Sequence, residues 1–443
     1  MILIRPVTLC LWTSLLLRPA ASQAVLIPWT DNTPSSLAPF QGNAEAVAQL
    51  AGNDLLIYGH RPQSLVLTTR QGPRYYPTSR FNSGALVVPA PPEQVARLLS
   101  DYPRYVGLFP TLTSAKVLEQ QNSVSRVRYH IHVPVPIPLL SFSEDVDMQH
   151  QLSGNSLSTL ILDSPIQYGQ GRFEWFALKN GQTLVTLTQW GDLDRPRGFL
   201  VSTLLKAVPE VKSSILQSVN AFVLESLRLR LRPAPLGPVQ PVPQVIPRRT
   251  LSEAQLATVQ KLLEQSGTPV MLAHNPVLMQ TRKKPEPMHF VTSFGLVNGP
   301  VDQVQPLLAD PANFKKMFRQ VRRVTTMPVP GSAASDTQVD VGLGLGILSI
   351  PFRLVLRTTP EGEHQNRYQA IGGDIEHMVG RMVFEPVGPQ RTRVTLISAG
   401  KLGDDAPVLL RIGKSLPYND FMPTVGSSPL ILDKVNQHLQ GKR

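Results

Sequence analysis

One stretch of thirty residues occurs twice in this chain, and this repeat constrains the fold more than any other feature. Residues 81–110 align without a gap on residues 290–319, a shift of 209 positions, and nine of the thirty aligned pairs are identical. A long internal period of this kind predicts that one structural unit has been duplicated. The identical pairs are Phe81/Phe290, Val88/Val297, Pro91/Pro300, Gln94/Gln303, Val95/Val304, Leu98/Leu307, Leu99/Leu308, Asp101/Asp310 and Phe109/Phe318.

The same shift returns far downstream, where Gly171 and Arg172 fall on Gly380 and Arg381. The repeated unit therefore spans about 150 residues, which is an ordinary domain size. A third repeated segment pairs residues 133–142 with residues 341–350. Apolar residues alternate in both segments, and their partners are prolines in the first copy and glycines in the second.

The N-terminus has the features of a secretory signal: Arg5, an apolar run over residues 7–17 and the small-residue site Ser22-Gln23-Ala24. The run is too short to span a bilayer, which needs roughly 20 residues. We expect cleavage before Val25 and export to the periplasm or the extracellular space. The single cysteine, Cys10, would leave with the signal, so disulfides and cysteine-ligated metals are not expected in the mature protein.

The net charge of +12 favours anionic partners. In an exported chain a membrane or cell envelope is a better candidate than nucleic acid, and the sequence carries no nucleic-acid-binding signature. We therefore expect no nucleic-acid partner.

Each copy begins with a strand and a helix opened by proline, continues through six strands separated by short turns, and ends in a long helix. Thr250 and Glu253 predict a capping box for a helix before the second copy. Pro417, Pro423 and Gly426 predict that its closing helix is broken. The expected divisions are a signal peptide (1–24), an N-terminal extension (25–80), a first domain (81–231), a Pro-rich linker (232–249), a helix and strand prelude (250–289) and a second domain (290–443).

This order of elements resembles the START-like (helix-grip, SRPBCC) superfamily, in particular its polyketide cyclase and coenzyme Q-binding group. The opening of the first copy is similar to that of the group at Val88, Pro91, Asp101, Tyr105, Phe109 and Pro110. The likeness covers residues 81 to about 231 well, and residues 290 to about 439 less well because Arg319 replaces Pro110.

The resemblance implies an α+β fold of two tandem helix-grip domains, each a curved antiparallel sheet wrapped around a long C-terminal helix. It also implies an apolar cavity between sheet and helix, suited to a water-insoluble ligand. Members of the superfamily include lipid carriers, quinone binders and aromatic-ring cyclases, so the fold alone does not select a function.

The first copy has the longer helix and two tryptophans, which makes it the better candidate for the cavity. We expect its ligand to contact Phe109, Trp175, Trp190, Leu204, Val208 and Ile215. The alternating segments supply two further interpretations: a gate at the cavity mouth or a membrane-touching tip, or else core packing beneath a rigid edge strand. Their apolar residues are Val135, Ile137, Leu139, Leu343, Leu345 and Ile347.

Polar residues within the strands of the first copy, among them Tyr129, His130, His132 and His150, include the types used in acid–base catalysis. Strand-face histidines exposed to solvent are the commoner case, so no catalytic residue, metal ligand or cofactor is predicted. The second copy instead carries five cations within nine residues, which favour an anionic membrane surface. These are Lys315, Lys316, Arg319, Arg322 and Arg323.

Together these features predict an exported binder or carrier of a hydrophobic small molecule, such as a lipid, an isoprenoid or a polyketide-like compound. One alternative is a cyclase/aromatase-type or hydrolytic enzyme in the first domain. The other is an envelope interaction module without a ligand.

Overall fold

A computed structural model describes residues 26–133, 142–197, 202, 205–206, 211–232, 237–240, 246, 249–280, 284–345, 348–403, 406 and 417–441. The predicted signal and part of the Pro-rich linker lie outside these ranges. Within them, no helix is both long and apolar enough to cross a bilayer.

The first copy is an antiparallel sheet with one long helix, preceded by a short helix, a strand and a hairpin. A 3-10 turn at Tyr102–Tyr105 follows the second helix. The elements are α1 (Ala44–Ala51), β1 (Leu55–Gly59), β2 (Gln63–Thr69), β3 (Gly72–Ser79), β4 (Asn82–Val88), α2 (Pro92–Ser100), β5 (Leu112–Gln121), β6 (Val124–Val133), β7 (Phe142–Ser153), β8 (Ser156–Asp163), β9 (Gly169–Ala177), β10 (Thr183–Gly191) and α3 (Lys212–Leu231).

The second copy repeats this order, including the helix, strand and hairpin that precede its first aligned strand. The elements are α4 (Glu253–Ser266), β11 (Val270–Ala273), β12 (Val277–Gln280), β13 (Pro285–Met288), β14 (Val291–Val297), α5 (Val301–Ala309), α6 (Phe314–Met317), β15 (Val321–Pro328), β16 (Ser335–Leu345), β17 (Leu348–Gly362), β18 (Gln365–Gly373), β19 (Ile375–Gly388), β20 (Arg391–Leu402) and α7 (Met422–Leu439).

The two sheets are joined edge to edge into one 16-stranded sheet, in the order β15-β16-β17-β18-β19-β20-β14-β11-β1-β4-β10-β9-β8-β7-β6-β5. The joint is the antiparallel pair β1–β11, in which Leu56 lies opposite Leu272 and Ile57 opposite Met271. Because β1 and β11 occupy the same place in their copies, the pairing relates the copies by a local pseudo-twofold axis. It also covers an edge of each sheet that would otherwise offer unpaired backbone groups.

Each long helix packs on one face of its own sheet. A glycine in β4 and another in β14, the first aligned strand of each copy, allow the close approach. A Cβ added at Gly84 would overlap Leu224 of α3, and a Cβ added at Gly295 would overlap Leu432 of α7. This arrangement of sheet and helix confirms the predicted α+β class and the tandem helix-grip architecture. The two helices also contact each other, since Gly426 of α7 lies near Ser218 of α3.

The opposite face of the sheet is covered by segments that precede each copy. Residues 26–37 lie across the first sheet: Gln149 bonds the backbone of Ile27 at 2.9 Å through both its oxygen and its nitrogen, and Arg172 donates to Asp31 at 2.7 Å. Helices α1 and α4 pack beside them in a core shared by Leu50, Leu262 and other residues of both copies.

Two local predictions were wrong. The capping box of α4 is formed by Ser252 and Gln255, two residues later than the predicted Thr250 and Glu253. The closing helix of the second copy, expected to be broken and therefore shorter or bent, begins after Pro417 and is not interrupted at Pro423 or Gly426. Pro423 lies in the first turn, where its missing N–H leaves no hydrogen bond unmade. The helix is only slightly shorter than α3, with 18 residues against 20.

Candidate ligand-binding site

An apolar cavity of about 520 Å³ lies between the sheet and helix α7 of the second copy. Cavities of a few hundred to a thousand Å³ with apolar walls are typical of small-molecule sites. Its apolar walls are formed by Leu308, Pro311, Phe314, Phe352, Leu354, Leu356, Ile375, Met378, Met382, Leu396, Leu402 and Ile431.

The walls follow from strand alternation. Phe352, Leu354 and Leu356 are alternate residues of β17, so they face the same side of the sheet. In β20 the alternate positions include Ser398 and Gly400, which occupy little volume. The nearest heavy atom to a Cβ added at Gly400 would be 3.6 Å away. Small residues on the sheet therefore leave the space that the large residues around them enclose.

Few polar groups reach this cavity. Tyr368 lies over Gly380, its partner in the strand register, and burial raises the pKa of Tyr368 to about 12, while a hydrogen bond with Ser398 acts in the opposite direction. The phenol is therefore neutral at physiological pH and can donate a hydrogen bond. On α7, Ser428 Oγ donates to the carbonyl of Thr424 at 3.0 Å. The site suits an apolar molecule with one or two polar atoms.

The corresponding space in the first copy is filled by aromatic rings. Tyr102 stacks on His150 at 4.7 Å, and Tyr105 stacks on Tyr129 at 5.9 Å. Tyr129 Oη and His150 Nε2 are 2.7 Å apart, and burial lowers the pKa of His150 to about 3. Trp175 belongs to the same packed core.

The first copy was the expected place for the cavity, but aromatic rings occupy the corresponding positions in its described part. The reason is visible at three aligned positions. Tyr102 aligns with Pro311 at the shift of 209, and at the shift of 208 seen in the alternating segments Tyr129 aligns with Thr337 and His150 with Thr358. Pro311 and Thr358 line the cavity of the second copy. Comparing side-chain sizes at these positions is the sequence signal that would have identified the hollow copy.

The ligand contacts predicted for the first copy do not converge on one site. Phe109 packs edge-on against Tyr105 at 5.1 Å, and Ile215 is half-buried on α3. Trp190 lies on the opposite face of the sheet, where its ring is 4.5 Å from that of Tyr76. Leu204 and Val208 lie outside the described residues.

The alternating segment of the second copy forms the end of the β16–β17 hairpin. Pairing continues to Leu345 opposite Leu348, whereas β15 stops at Val321 opposite Val341 and β18 at Gly373 opposite Leu354. Residues 342–345 and 348–353 thus extend beyond both neighbouring strands, and we call these described residues the hairpin tip. Leu343 and Leu345 are at register positions in this tip. Val135, Ile137, Leu139 and Ile347 lie outside the described residues.

The five predicted cations follow one another from α6 to the start of β15, and all are exposed. Lys315 and Lys316 are on α6, Arg319 follows it, and Arg322 and Arg323 open β15. Arg322 lies directly against Gly342, the first residue of the tip. We call these five residues the basic cluster.

The histidines considered for acid–base chemistry divide into two kinds. His130 and His132 are half-buried near the surface and pair with Asp145 at 2.7 Å and Ser143 at 2.9 Å. His150 is buried, with Thr159 Oγ1 2.9 Å from its second ring nitrogen. The half-buried pair behaves as ordinary strand-face histidines, and the buried one is enclosed by its neighbours.

No family model matches this chain, and no curated protein matches it. Among solved structures, it is similar to the di-domain ARO/CYC BexL from the BE-7585A biosynthetic pathway, with 12% identity over 82% of this chain and 100% of that chain and a TM-score of 0.25. It is similar to a STAR-related lipid transfer protein fragment from Xanthomonas axonopodis (14% identity, 34% of this chain, 86% of that chain, TM-score 0.26).

It is also similar to a START superfamily protein from Mycobacterium smegmatis, with 17% identity over 34% of this chain and 96% of that chain and a TM-score of 0.25. Solved START-like proteins are thus among the structures that resemble this chain. At such identities and TM-scores, none of their activities transfers to it.

Proposed function

We propose that this protein binds a hydrophobic small molecule in the cavity of the second copy and carries it outside the cytoplasm. The observation that supports this most directly is the 520 Å³ cavity with its aliphatic and aromatic walls. Tyr368 and Ser398 supply the polar atoms that would orient a single oxygen of the ligand. Lipids, isoprenoids and polyketide-like compounds are the classes that fit.

Export to the periplasm or the extracellular space belongs to the same proposal. It is supported by the charge, apolar run and small-residue site of residues 1–24. A carrier of water-insoluble molecules has a clear role in an aqueous compartment between membranes. N-terminal sequencing of the mature protein, with Val25 as the expected first residue, tests this part.

We further propose that the second copy exchanges its ligand at an anionic membrane surface. Arg322 of the basic cluster lies against Gly342 of the hairpin tip, and the sequence of this segment alternates apolar residues with glycine. Cations near apolar residues at one protruding end combine electrostatic attraction with shallow insertion, and each surface cation contributes about 1 kcal/mol on an anionic leaflet.

An enzyme in the first copy has less support. The Tyr129–His150 pair has the right types for acid–base work, but Tyr102 stacks on the histidine, and both members of the pair are buried. A substrate would have to displace packed rings to reach them. The cavity favours a binding function over this alternative and over a module without ligand.

The ligand proposal is tested with native mass spectrometry of protein purified from its own host, followed by extraction of the bound molecule. Delipidated protein is then titrated with the neutral fluorescent probe N-phenyl-1-naphthylamine. The Gly400→Leu variant should bind the probe about tenfold more weakly, a change of about 1.4 kcal/mol, because leucine occupies the cavity.

Gly372→Leu is the matched control. Its added Cβ would also lie 3.6 Å from its nearest heavy atom, but Gly372 is paired with Val355 rather than facing the cavity. Equal affinities of both variants and the wild type would show that the probe binds elsewhere, and a ligand-free protein that takes up no probe would refute the carrier function.

Membrane exchange is tested by sedimentation with vesicles of phosphatidylglycerol and phosphatidylcholine. The double variant Lys315→Gln/Lys316→Gln should sediment less, and binding should weaken with salt. Arg61→Gln/Lys261→Gln removes two exposed charges outside the basic cluster and should sediment like the wild type. Sedimentation that is indifferent to anionic lipid or to the basic cluster would exclude this mode of docking.

A further inference from the structure

The surface of the first copy carries a concave site that differs in kind from the apolar cavity of the second copy. A cleft of about 750 Å³ lies between the end of α2, the 3-10 turn, β5 and the end of α3. We call it the arginine cleft. It is lined by Gln94, Arg97, Leu98, Ser100, Asp101, Tyr102, Pro103, Arg104, Val117, Gln120, Arg230 and Leu231.

Three guanidinium groups and one carboxylate surround the arginine cleft. Arg97 and Arg230 are exposed, and the guanidinium group of neither forms a hydrogen bond or an ion pair with the described part of the chain. Arg104 pairs with Asp101 at 2.9 Å, and both groups are largely exposed. The lining therefore has an excess of two positive charges, and two of its arginines keep all their donors available.

Helix ends explain part of this charge but not all of it. Cations in the last turn of a helix are stabilised by the macrodipole, which accounts for Arg97 on α2 and Arg230 on α3 taken singly. Arg104 lies outside both helices. In the second copy, the last turn of α5 has no basic residue, and Pro306 and Asn313 stand where the first copy has Arg97 and Arg104.

The floor of the arginine cleft is apolar. Leu98, Val117 and Leu231 are partly buried and pack against the core of the first copy. Tyr102 forms one wall and at the same time stacks on His150 inside that core. A ligand of this cleft would thus meet guanidinium groups at the rim and hydrocarbon below.

We propose that the arginine cleft binds an amphiphilic organic phosphate, with the phosphate held by Arg97, Arg230 and Arg104 and the hydrocarbon on Leu98, Val117 and Leu231. The planar fork of arginine matches the oxygens of a phosphate, and two net positive charges match a dianion. The phosphate is either that of a soluble metabolite or that of a lipid headgroup. This site goes beyond the proposed cavity function, because it lies on the other copy and selects a charged molecule.

The test uses full-length protein and two probes in isothermal titration calorimetry, hexyl phosphate and inorganic phosphate. Hexyl phosphate should bind at least about tenfold more tightly, because part of its chain is removed from water. Arg97→Gln and Arg230→Gln should each weaken hexyl phosphate about tenfold or more, since each removes charge-assisted hydrogen bonds. Arg61→Gln, an exposed arginine of the same copy outside the cleft, should bind like the wild type.

The outcomes separate the sources of the phosphate. Binding of phosphatidic acid vesicles that requires Arg97 and Arg230 indicates a headgroup, and binding of hexyl phosphate without such vesicle binding indicates a soluble ligand. Equal affinity for both probes overturns the assignment of an amphiphile. No binding, or the same affinity in the Arg97, Arg230 and Arg61 variants, overturns the site. Gly400→Leu should leave these titrations unchanged, so failure of the cavity function is recognised separately.

Discussion

Glu225 and Arg228 form a bidentate ion pair that is buried where the two copies meet. Arg228 Nε donates to Glu225 Oε2 at 2.7 Å, and Arg228 Nη2 donates to Glu225 Oε1 at 2.5 Å. His289 of the second copy lies 3.2 Å from the same carboxylate and also contacts Asp420, just before α7. These four residues, the interdomain ion network, connect α3 of the first copy to the start of the helix that covers the cavity.

Removing one member of the interdomain ion network should be costly. In Glu225→Gln, Arg228 loses the carboxylate that compensates it and His289 keeps only its contact with Asp420. Breaking a buried pair in this way costs about 3–5 kcal/mol. Urea unfolding at neutral pH measures the loss. Glu93→Gln removes an exposed carboxylate of α2 and should change the free energy of unfolding by less than about 0.5 kcal/mol. Similar values for both variants would mean that the network is hydrated in solution.

The network also predicts how stability changes at alkaline pH. Burial alone would lower the pKa of His289, but hydrogen bonds with Asp420 and Glu225 raise it to about 9. Its contribution is fully present below pH 6.5, the ordinary pKa, and is lost as the pH rises through 9. We expect a loss on the order of 3 kcal/mol between pH 6.5 and 9.5.

Urea unfolding at several pH values measures this slope. His289→Gln should flatten it, although the variant is less stable throughout. His130→Gln should keep it, because His130 pairs with Asp145 at the surface. An unchanged slope in His289→Gln would assign the alkaline loss to other groups.

At mildly acid pH, His150 and His60 should account for most of the change of the free energy of unfolding with pH. Burial lowers the pKa of His150 to about 3 and that of His60 to about 4. Both contributions are present above pH 6.5 and decline below it, because only the unfolded chain takes up the protons. Between pH 6.5 and 5 each histidine should reduce stability by about 2 kcal/mol. His289 contributes little in this window, since it stays protonated in the folded protein and is already at least half protonated in the unfolded chain.

The His150→Gln variant should lose about half of that acid slope. Far-UV circular dichroism with urea at pH 5.0, 5.75 and 6.5 provides the measurement. Carboxylates such as Glu225, whose pKa is near 2 in the folded protein, titrate mainly below this window. Retention of the full slope in the variant would place the acid sensitivity elsewhere.

The repeat predicted a duplicated unit, and the periods of helix and strand predicted its order of strands and closing helix. The helix-grip arrangement of these elements was implied by the resemblance to the START-like superfamily. The edge-to-edge joint was not predictable in the same way. It depends on two strands of four and five residues, Val270–Ala273 and Leu55–Gly59, that are more than 200 positions apart. Nothing in such short apolar runs specifies which edge they will meet.

The sequence predicted an apolar cavity and favoured the first copy, whereas the apolar cavity between sheet and helix α7 lies in the second copy. The longer helix and the two tryptophans favoured a cavity in the first copy. In the structure, Trp190 lies on the other face of the sheet, and Trp175 fills the interior instead of lining a space. Whether a helix-grip interior is hollow depends on the sum of ring volumes that meet there. Periodicity assigns a residue to a face but carries no information about that sum.

The first copy has a filled interior and the second a hollow one, so the same substitution at aligned positions should cost different amounts of stability. Leu187 and Leu396 are aligned residues of β10 and β20, and both are buried. Leu187 belongs to the core that contains Tyr129 and Trp175, whereas Leu396 faces the cavity. Replacing a closely packed leucine by alanine costs about 3–5 kcal/mol, because a new void is created. A leucine that already borders a void has fewer contacts to lose.

We therefore expect Leu187→Ala to lower the free energy of unfolding by about 3 kcal/mol or more, and Leu396→Ala by about half as much. Urea unfolding of ligand-free protein measures both losses. When the unfolding is repeated with N-phenyl-1-naphthylamine, the loss caused by Leu396→Ala should increase, and the loss caused by Leu187→Ala should stay the same. If Leu396→Ala costs as much as Leu187→Ala without ligand, the cavity is closed in solution. In that case the second copy is packed like the first, and the proposed ligand site is lost.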